Sequence, residues 1–351
     1  MKIVILVSGL PPLYNGGTEI ATVELAKCAS KKHDVHIIAG TTEDGEYKIN
    51  GLNIHTVKSI NKKYLFGAYF VLGAVKQVIK IKPDVIHAQG IQMALAAFIA
   101  SKITRIPYIL YGRGEIYMKW FGKDLITYVL ANGASRVIAQ TQHMAEAFEN
   151  YTNKEIEVIP NGIDAERFQF ERWAKSSHLK VAVAVGRARP EKNLACFVDA
   201  MRYLEKELKF DHAMGVIVGD GEQIPELKKR AEGTNIRFMD AVDNSEIPMI
   251  LKSADVLVNT SLSEGFPMAV LEAMAAGLPV VASRVTGIPE IVGNLINGIL
   301  VEPDNYKATA LAILQIFTKP VMADLFSRNN LAKVKQYSWE NVVRRLYECA
   351  E

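Results

Sequence analysis

This 351-residue chain has few cysteines and a small net charge. Its three cysteines are widely spaced and form no Cys-x-x-Cys pair, so they predict neither a disulfide framework nor a zinc site. A reducing cytoplasm is the simplest location for such a chain. The net charge of +3 gives little reason to expect nucleic acid as a partner.

Long hydrophobic runs and dinucleotide-binding glycine motifs are also lacking. The nearest approach to a membrane span, Leu65 to Val75, has 11 residues and two glycines, whereas a span needs about 18. The run Ile3 to Val7 is too short for a signal peptide, and we expect it to form a buried first strand. No strand is followed by Gly-x-Gly-x-x-Gly, which disfavours a nicotinamide-dependent oxidoreductase.

The composition is that of a folded globular protein. Hydrophobic residues make up 49% of the chain and charged residues 23%, which excludes disorder and collagen-like order. At about 150 residues per domain, the length predicts two domains.

Short apolar runs rich in β-branched residues alternate with helical patterns along the whole chain. Continuous apolar strands that alternate with helices indicate parallel sheets covered on both faces. The predicted strands are 3–7, 35–39, 85–87, 108–111, 137–139, 157–159, 181–185, 215–218, 236–239, 256–259, 279–282 and 299–301. The turn-rich segment Ile159 to Asp164 divides this series, so we predict one domain over residues 1–165 and a second over 166–337. A last helix is predicted over 338–351, with Ser338 as its N-cap.

Cations follow the first strand of the second series. The segment Gly186 to Asn193 contains Arg187, Arg189 and Lys192 beside a glycine that permits close backbone approach. This combination is suited to binding a diphosphate, and the alternative is a solvated loop with ordinary surface charges.

Two glutamates flank a predicted helix start between Ser261 and Glu272. Pro267 is predicted as the first helical residue, so that Glu264 lies in the loop and Glu272 within the helix. The backbone N–H groups from Gly265 onward would offer an anion site. Carboxylates beside such a site are better suited to accepting hydrogen bonds from sugar and ribose hydroxyls than to facing phosphate. The segment therefore predicts a nucleotide-sugar pocket.

Six motifs in order resemble those of the GT4-type retaining glycosyltransferases, also called glycosyl transferases group 1, over nearly the whole chain. They are Gly16 to Glu19, Ile159 to Asp164, Gly186 to Asn193, Gly219 to Gly221, Glu264 to Ser283, and Gly287 to Val292. The resemblance implies the α/β fold class called GT-B, with two facing Rossmann-like domains, parallel sheets and an inter-domain cleft. It also implies that the N-terminal domain binds the acceptor, that the C-terminal domain binds the nucleotide-sugar, and that the last helix packs back on the N-terminal domain.

The implied activity is transfer of a hexosyl-type sugar from a nucleoside-diphosphate sugar to an acceptor hydroxyl, with retention of configuration. The acceptor would be a glycan or a lipid-linked or anionic molecule. Two alternatives on the same scaffold are a non-catalytic nucleotide-sugar-binding protein and a nucleotide-sugar epimerase. The chain has no Asp-x-Asp, which many metal-dependent glycosyltransferases of the other common fold use, and we expect no metal or other cofactor.

Site residues follow from the resemblance, position by position. Arg187 and Lys192 would hold the donor diphosphate and stabilise its charge as the sugar departs, while Glu264 would contact the transferred sugar and Glu272 the ribose. Further donor-binding residues would be Gly16, Gly17, Gly186, Gly219, Gly265, Phe266 and Pro267.

Two residues on the acceptor side stand apart. Many relatives have His-Gly where this chain has Arg113-Gly114, and arginine cannot be deprotonated, so Arg113 is expected to bind an anion if it lines the site. The alternative is an ion pair with Glu115 or another acid. His87 ends a strand where relatives often have histidine, and such a histidine more often has a structural role.

Positive charge is concentrated between Lys58 and Lys123. This segment has eleven cations and two acids, with aromatic residues beside lysines at 62–66 and 117–121. Such a combination favours an anionic membrane surface, and hence a peripheral location on the inner face of the cell membrane. The alternative is that the aromatic residues are in the core and the lysines are solvated.

Overall fold

The computed structural model describes residues 1–10, 16–41, 44–49, 51–58, 65–113, 123–168 and 179–348. The chain divides into two compact units. The first consists of Met1–Gly162 with Trp339–Glu351, and the second of Ile163–Ser338. The division after residue 162 lies three residues before the one expected from the turn-rich segment.

The first unit contains a sheet of eight strands. They are β1 (Lys2–Val7), β2 (Asp34–Thr41), β3 (Gly45–Ile49), β4 (Leu52–Lys58), β5 (Val85–Gln89), β6 (Tyr108–Gly112), β7 (Arg136–Ala139) and β8 (Ile156–Val158). Their order is β3-β4-β2-β1-β5-β6-β7-β8, and β3 runs antiparallel to β4 whereas the other neighbours are parallel.

Helices cover both faces of this sheet. They are α1 (Gly17–Ala29), α2 (Leu65–Ile81), α3 (Ile91–Thr104), α4 (Lys123–Gly133) and α5 (Gln142–Glu149). One core lies between the sheet and α2–α5, and a second lies on the face that α1 covers. Because both faces are buried, inner strands such as β1 and β6 are almost continuously apolar.

The second unit contains a sheet of six parallel strands. They are β9 (Lys180–Val185), β10 (Ala213–Val218), β11 (Ile236–Met239), β12 (Val256–Asn259), β13 (Val280–Ser283) and β14 (Gly298–Val301). Their order is β11-β10-β9-β12-β13-β14. The two predicted α/β domains with parallel sheets are therefore confirmed.

Helices also cover the second sheet on both faces, with a core on each side. They are α6 (Leu194–Lys206), α7 (Ile224–Arg230), α8 (Ile247–Ser253), α9 (Met268–Ala275), α10 (Ile288–Ile291), α11 (Tyr306–Thr318) and α12 (Pro320–Val334). No single helix in the described ranges is long and apolar enough to cross a membrane; the bent pair 306–318 and 320–337 passes by length and composition alone.

The last segment returns to the first unit. It forms α13 (Trp339–Val343) and a π-helical segment, Arg344–Glu348, so the helix predicted over 338–351 begins at Trp339 and changes to π-helical geometry after Val343. The π-helical segment is anchored by Arg136, which donates to the carbonyl oxygens of Arg345 and Leu346 at 2.9 and 2.6 Å. The apolar side chains of Val342, Val343, Leu346 and Tyr347 are buried in the core that α1 covers.

Candidate functional site

The second sheet reverses its strand order between β9 and β12. From β9 the chain proceeds to β10 and β11 on one side, whereas β12, β13 and β14 lie on the other side. In open parallel sheets, ligands bind at the carboxyl ends of the strands beside such a reversal. The loops that follow β9, β10 and β12 carry most of the predicted site residues.

The loops after β9 and β10 pack backbone against backbone through two glycines. Gly186 and Gly219 have φ angles of 143° and 139°, which side chains rarely tolerate. A Cβ on Gly219 would lie 2.2 Å from the Gly186 carbonyl oxygen, whereas a Cβ on Gly186 would meet no atom within 4 Å. Gly186 therefore leaves an uncrowded backbone surface. Beside it, Arg187 Nε lies 3.6 Å from Asp220 Oδ1, and both side chains are largely exposed.

The loop after β12 brings Glu264 to Lys192. Glu264 Oε1 accepts hydrogen bonds from Lys192 Nζ at 2.6 Å, Ser261 Oγ at 2.7 Å and Asn259 Nδ2 at 3.2 Å. The Glu264 side chain is 7% exposed and that of Lys192 is 30% exposed. Within the described part of the chain, Glu264 Oε2 makes no hydrogen bond, so it remains available to accept one from a ligand.

Backbone contacts fix the position of these two loops. The Leu262 N–H donates to the Glu191 carbonyl oxygen at 2.8 Å, and Thr260 Oγ1 donates to that of Asn193 at 2.9 Å. Thr286 Oγ1 accepts from the Glu264 N–H at 3.0 Å. Sequence reasoning missed Asn259, Ser261 and Thr286 as supports of Glu264, and only their nearness to the glutamate motif could have indicated the first two.

Pro267 is the N-cap of α9 and not its first helical residue, which corrects the prediction. Its ψ of 97° is extended, and its carbonyl oxygen accepts from the Val270 and Leu271 N–H groups at 3.1 and 3.2 Å. The Phe266 ring is buried and packs against the Tyr337 ring in a tilted orientation, with a centroid separation of 6.0 Å. In the segment from Gly265 to Pro267, the backbone is therefore the part that could contact a ligand.

Glu272 lies on α9 as predicted and is partly buried. Its carboxylate makes no hydrogen bond or ion pair with any residue that the structure describes. Burial raises the pKa of Glu272 from 4.5 to about 7, and the charge of Arg167 opposes this shift. No signal in the sequence pointed to Arg167, which lies in a short 3₁₀ helix.

Four predicted site residues lie in the first unit. Gly16 is the N-cap of α1 and Gly17 is its first residue. A Cβ on Gly16 would lie 2.3 Å from Glu19 Oε2, so the glycine makes room for that carboxylate. Glu19 also accepts a hydrogen bond from Ser8 Oγ at 3.1 Å.

His87 and Arg113 are both buried, and the His87 ring lies against Tyr111 of β6 and Tyr347 of the last segment. His87 Nδ1 shares a hydrogen bond with the Tyr347 hydroxyl. Burial, together with the charges of Arg113 and Arg136, lowers the pKa of His87 from 6.5 to about 3. His87 is therefore neutral at physiological pH.

The Arg113 guanidinium stacks on the Tyr111 ring, with its Cζ 4.5 Å from the ring centroid. The expected alternative partner of Arg113, Glu115, lies outside the described residues.

The structure thus brings Lys192 and Glu264 into direct contact and places Gly186, Arg187 and Gly219 in adjoining loops. In the described ranges, no group of three or more His, Cys, Asp or Glu residues could hold a metal ion.

Two family models match the chain. The model for glycosyl transferases group 1 matches residues 165–333, and the model for glycosyltransferase family 4 matches residues 15–167. The two matches adjoin where the chain divides into its two units.

Similar curated proteins include glycosyltransferases over their full length. The chain is 28% identical to the uncharacterized glycosyltransferase MJ1607 of Methanocaldococcus jannaschii, over 98% of this chain and 96% of that protein. It is 26% identical to the UDP-Gal:alpha-D-GlcNAc-diphosphoundecaprenol alpha-1,3-galactosyltransferase of Escherichia coli, over 96% of this chain and 93% of that protein.

Among solved structures, Anabaena Alr3699/HepE in complex with UDP and glucose aligns with a TM-score of 0.80 and 22% identity, over 99% of this chain and 98% of that one. This likeness confirms the predicted GT-B fold.

Proposed function

Since the chain belongs to the group 1, GT4-type glycosyltransferases, we propose that it moves a hexosyl residue from a nucleoside-diphosphate sugar to an acceptor hydroxyl with retention of configuration and without a metal ion. The observation that carries this proposal is the meeting of Lys192 and Glu264, at 2.6 Å, where the second sheet reverses its strand order.

Lys192 and Arg187 stabilise the departing diphosphate. Fixed cations beside an open glycine backbone are suited to the negative charge that develops as the bond to the sugar breaks, and such electrostatic stabilisation is often the largest contribution to catalysis. The same two cations supply positive charge that a metal ion provides in other transferases. Gly186 and Gly219 allow the phosphates to approach the backbone, as does the segment from Gly265 to Pro267.

Glu264 and Glu272 bind hydroxyl groups. Glu264 Oε1 already accepts three hydrogen bonds, so Oε2 is the oxygen that accepts from the transferred sugar. Glu272 has no partner in the described part of the chain, and the two hydroxyls of a ribose would supply hydrogen bonds to it.

Retention follows from attack by the acceptor hydroxyl on the face from which the diphosphate departs, so no residue is assigned as a covalent nucleophile. The leaving diphosphate, held by Lys192 and Arg187, would accept the proton of the attacking hydroxyl.

The test begins with a calorimetric binding screen of nucleoside diphosphates and their sugars. The best donor is then supplied with glycan and lipid-linked acceptors in buffer with excess EDTA, and the anomeric configuration of the product is determined by NMR. We expect turnover in EDTA with retained configuration. An inverted product would refute the retaining mechanism, loss of turnover that Mg²⁺ restores would refute metal independence, and binding without turnover on any acceptor would favour a binding protein.

We also propose that the first unit contacts an anionic lipid surface, where a lipid-linked acceptor would lie. The outer surface of α2–α4, here called the α2–α4 face, exposes large apolar side chains among lysines. Its apolar members are Tyr69, Leu72, Ile79, Ile103, Leu125, Tyr128 and Val129, and its exposed lysines are Lys76, Lys80 and Lys102.

The spacing of Tyr69, Leu72, Lys76 and Ile79 places these four side chains on one side of α2. The side chains of the aromatic residues at 62–66 and 117–121, which first indicated such a surface, lie outside the described part of the structure. Apolar side chains among lysines match an anionic bilayer, into which the first insert while the second bind headgroups. Sedimentation with anionic and neutral vesicles at low salt tests this, and equally negligible binding to both would refute it.

A further inference from the structure

Arg113 is a buried charge without a counter-ion in the described part of the chain. It directly follows β6 and is 6% exposed. None of its three guanidinium nitrogens has a hydrogen-bond partner there. Arginine remains charged under all physiological conditions, and a charged group that is removed from water without a partner is strongly unfavourable. In the described part of the chain, no partner offsets the free-energy cost of burying the Arg113 guanidinium.

Other unpartnered polar atoms lie at the same place. Gln89 is the register partner of Tyr111 on the adjacent strand and is 5% exposed, and neither atom of its amide makes a hydrogen bond. His87, two residues earlier on the same strand, has an unpartnered Nε2. Arg113, Gln89 and His87 account for six of the eleven buried side-chain atoms that lack a hydrogen-bond partner in the described ranges. Such atoms are therefore concentrated at the carboxyl ends of β5 and β6.

No acidic side chain in the described ranges neutralises the guanidinium. Burial lowers the pKa of Arg113, and the opposing contributions of Tyr111, Tyr347 and, least of all, Glu19 do not reverse this direction. Within the described residues, Glu19 forms no ion pair with Arg113 within 4.0 Å, and it accepts a hydrogen bond from Ser8 Oγ instead. The Tyr111 ring offers a flat apolar surface on one side of the guanidinium and leaves its N–H edge unpaired.

We propose that Arg113 and the Gln89 amide bind an oxyanion, a carboxylate or a phosphate, that belongs to one of the two substrates of the transfer reaction. The guanidinium presents several N–H donors in a rigid fork that matches the paired oxygens of such a group, and the Gln89 amide adds a further donor. The proposal rests on the proposed function, since it assumes that sugar donor and acceptor are the ligands of this chain.

The oxyanion has two possible sources. A donor sugar that is a uronic acid carries a carboxylate, and a phosphorylated or diphosphate-linked acceptor carries a phosphate. The carboxylate and the phosphate present the same recognition chemistry to Arg113. Pairs of substrates that differ only in the presence of the anionic group therefore show which of the two is bound.

The experiment compares matched ligands on wild type, Arg113→Gln and Arg105→Gln by calorimetry. Arg105 is an exposed arginine of the same unit and controls for the loss of one positive charge. In the first arm, UDP-glucuronate is compared with UDP-glucose. In the second, with UDP present, octyl N-acetylglucosaminyl diphosphate is compared with octyl N-acetylglucosaminide.

In one of the two arms, wild type and Arg105→Gln should bind the anionic ligand at least about 10-fold more tightly than its neutral counterpart. Arg113→Gln should lose this preference and bind the neutral ligand as wild type does. Thermal unfolding of the ligand-free protein gives a second readout. Removal of an unpartnered buried charge should leave the melting temperature unchanged or raise it, whereas loss of a structural ion pair would lower it.

Equal binding of both members in both arms, or a preference that survives in Arg113→Gln, would overturn the proposal. Binding of UDP alone is the separate check on the proposed function. If UDP binds wild type and Arg113→Gln equally while no charge preference exists, only the oxyanion site is refuted. If no nucleoside diphosphate binds, the proposed function fails and the oxyanion site fails with it.

Discussion

Lys192 Nζ and Glu264 Oε1 lie 2.6 Å apart although 72 residues separate the two in the chain. The contact is possible because β9 and β12 are neighbours in the sheet, so the loops after them meet. It holds the lysine in position, in the loop that begins at Gly186, before any ligand arrives. An electrostatic stabiliser that is already in position costs no reorganisation at the moment of reaction.

Lys192→Ala should lower kcat by more than about 100-fold, because removal of a charge stabiliser typically costs two or more orders of magnitude. Steady-state kinetics with the best donor measures this. Lys206→Ala, which removes an exposed lysine from α6, is the control and should retain the wild-type rate. A Lys192→Ala enzyme with a near-normal rate would refute the role of Lys192.

Gly219→Ala should destabilise the second unit by several kcal/mol and weaken donor binding. Its Cβ would lie 2.2 Å from a carbonyl oxygen at a φ that side chains rarely adopt. Gly233→Ala is the control, because Gly233 also has a positive φ, of 71°, but its Cβ would meet no atom within 4 Å. Urea unfolding compares the two variants, and equal losses would show that the clash between the two loops is not decisive.

Relative to wild type, Glu272→Gln should have a higher free energy of unfolding at pH 8 than at pH 5. Burial raises the pKa of Glu272 from 4.5 to about 7, so this carboxyl favours folding below pH 4.5, and that contribution is lost as the pH rises through 7. Glutamine does not titrate. Between pH 5 and pH 8, the difference in free energy of unfolding should therefore shift by about 1 to 3 kcal/mol in favour of the variant.

Urea unfolding at the two pH values measures this gain. Glu302→Gln, which removes a carboxylate that is 72% exposed, is the control. The same Glu272→Gln variant should bind the donor about 10-fold more weakly at pH 8, where it lacks the charged hydrogen-bond acceptor. A difference between variant and wild type that does not change with pH would contradict the assignment.

The double variant Leu72→Ser, Leu125→Ser should lose most binding to anionic vesicles. These side chains are 71% and 70% exposed on the α2–α4 face, and their removal takes away apolar area that would insert into the bilayer. Val321→Ser is the control, because Val321 is 80% exposed but belongs to the second unit. Equal sedimentation of both variants would show that another surface contacts the lipid.

Trp339→Ala should destabilise the first unit by about 3 to 5 kcal/mol, because a buried ring of this size leaves a large cavity. The ring packs closely, and a Cβ on Gly162 would lie 2.5 Å from it. Peptide-resolved hydrogen exchange should show faster exchange in residues 1–162 and little change in 163–338. A uniform increase over both units would contradict a contribution confined to the first unit.

The strand runs predicted from continuous apolar sequence are present because both faces of each sheet are covered. The pair β3 and β4 was missed, since Gly45–Ile49 alternates charged with apolar residues and lies at the edge of the sheet. Its turn at Gly51, with a φ of 83°, is the local signal that would have indicated a hairpin.

The sequence predicted which residues belong to the site, but not which of them contact one another. The motifs indicated Lys192 and Glu264 separately, and their contact depends on which strands become neighbours. The start of α9 was placed one residue early because proline is common at the first helical position, but here its extended ψ makes it the cap. The burial of Arg113 has no local signal, since the packing of β5, β6 and the last segment removes it from water.

The return of residues 339–348 to the first unit has a consequence for how the protein emerges from the ribosome. The second unit is one uninterrupted stretch, residues 163–338, whereas the first needs α13, which is synthesised after that whole stretch. Trp339, Val342 and Leu346 fill a core whose other members, except Val343 and Tyr347, lie between Ile3 and Ile159 and are made before the second unit. The domain that begins the chain is therefore the last to be completed, which reverses the usual N-terminal-first order of folding during synthesis.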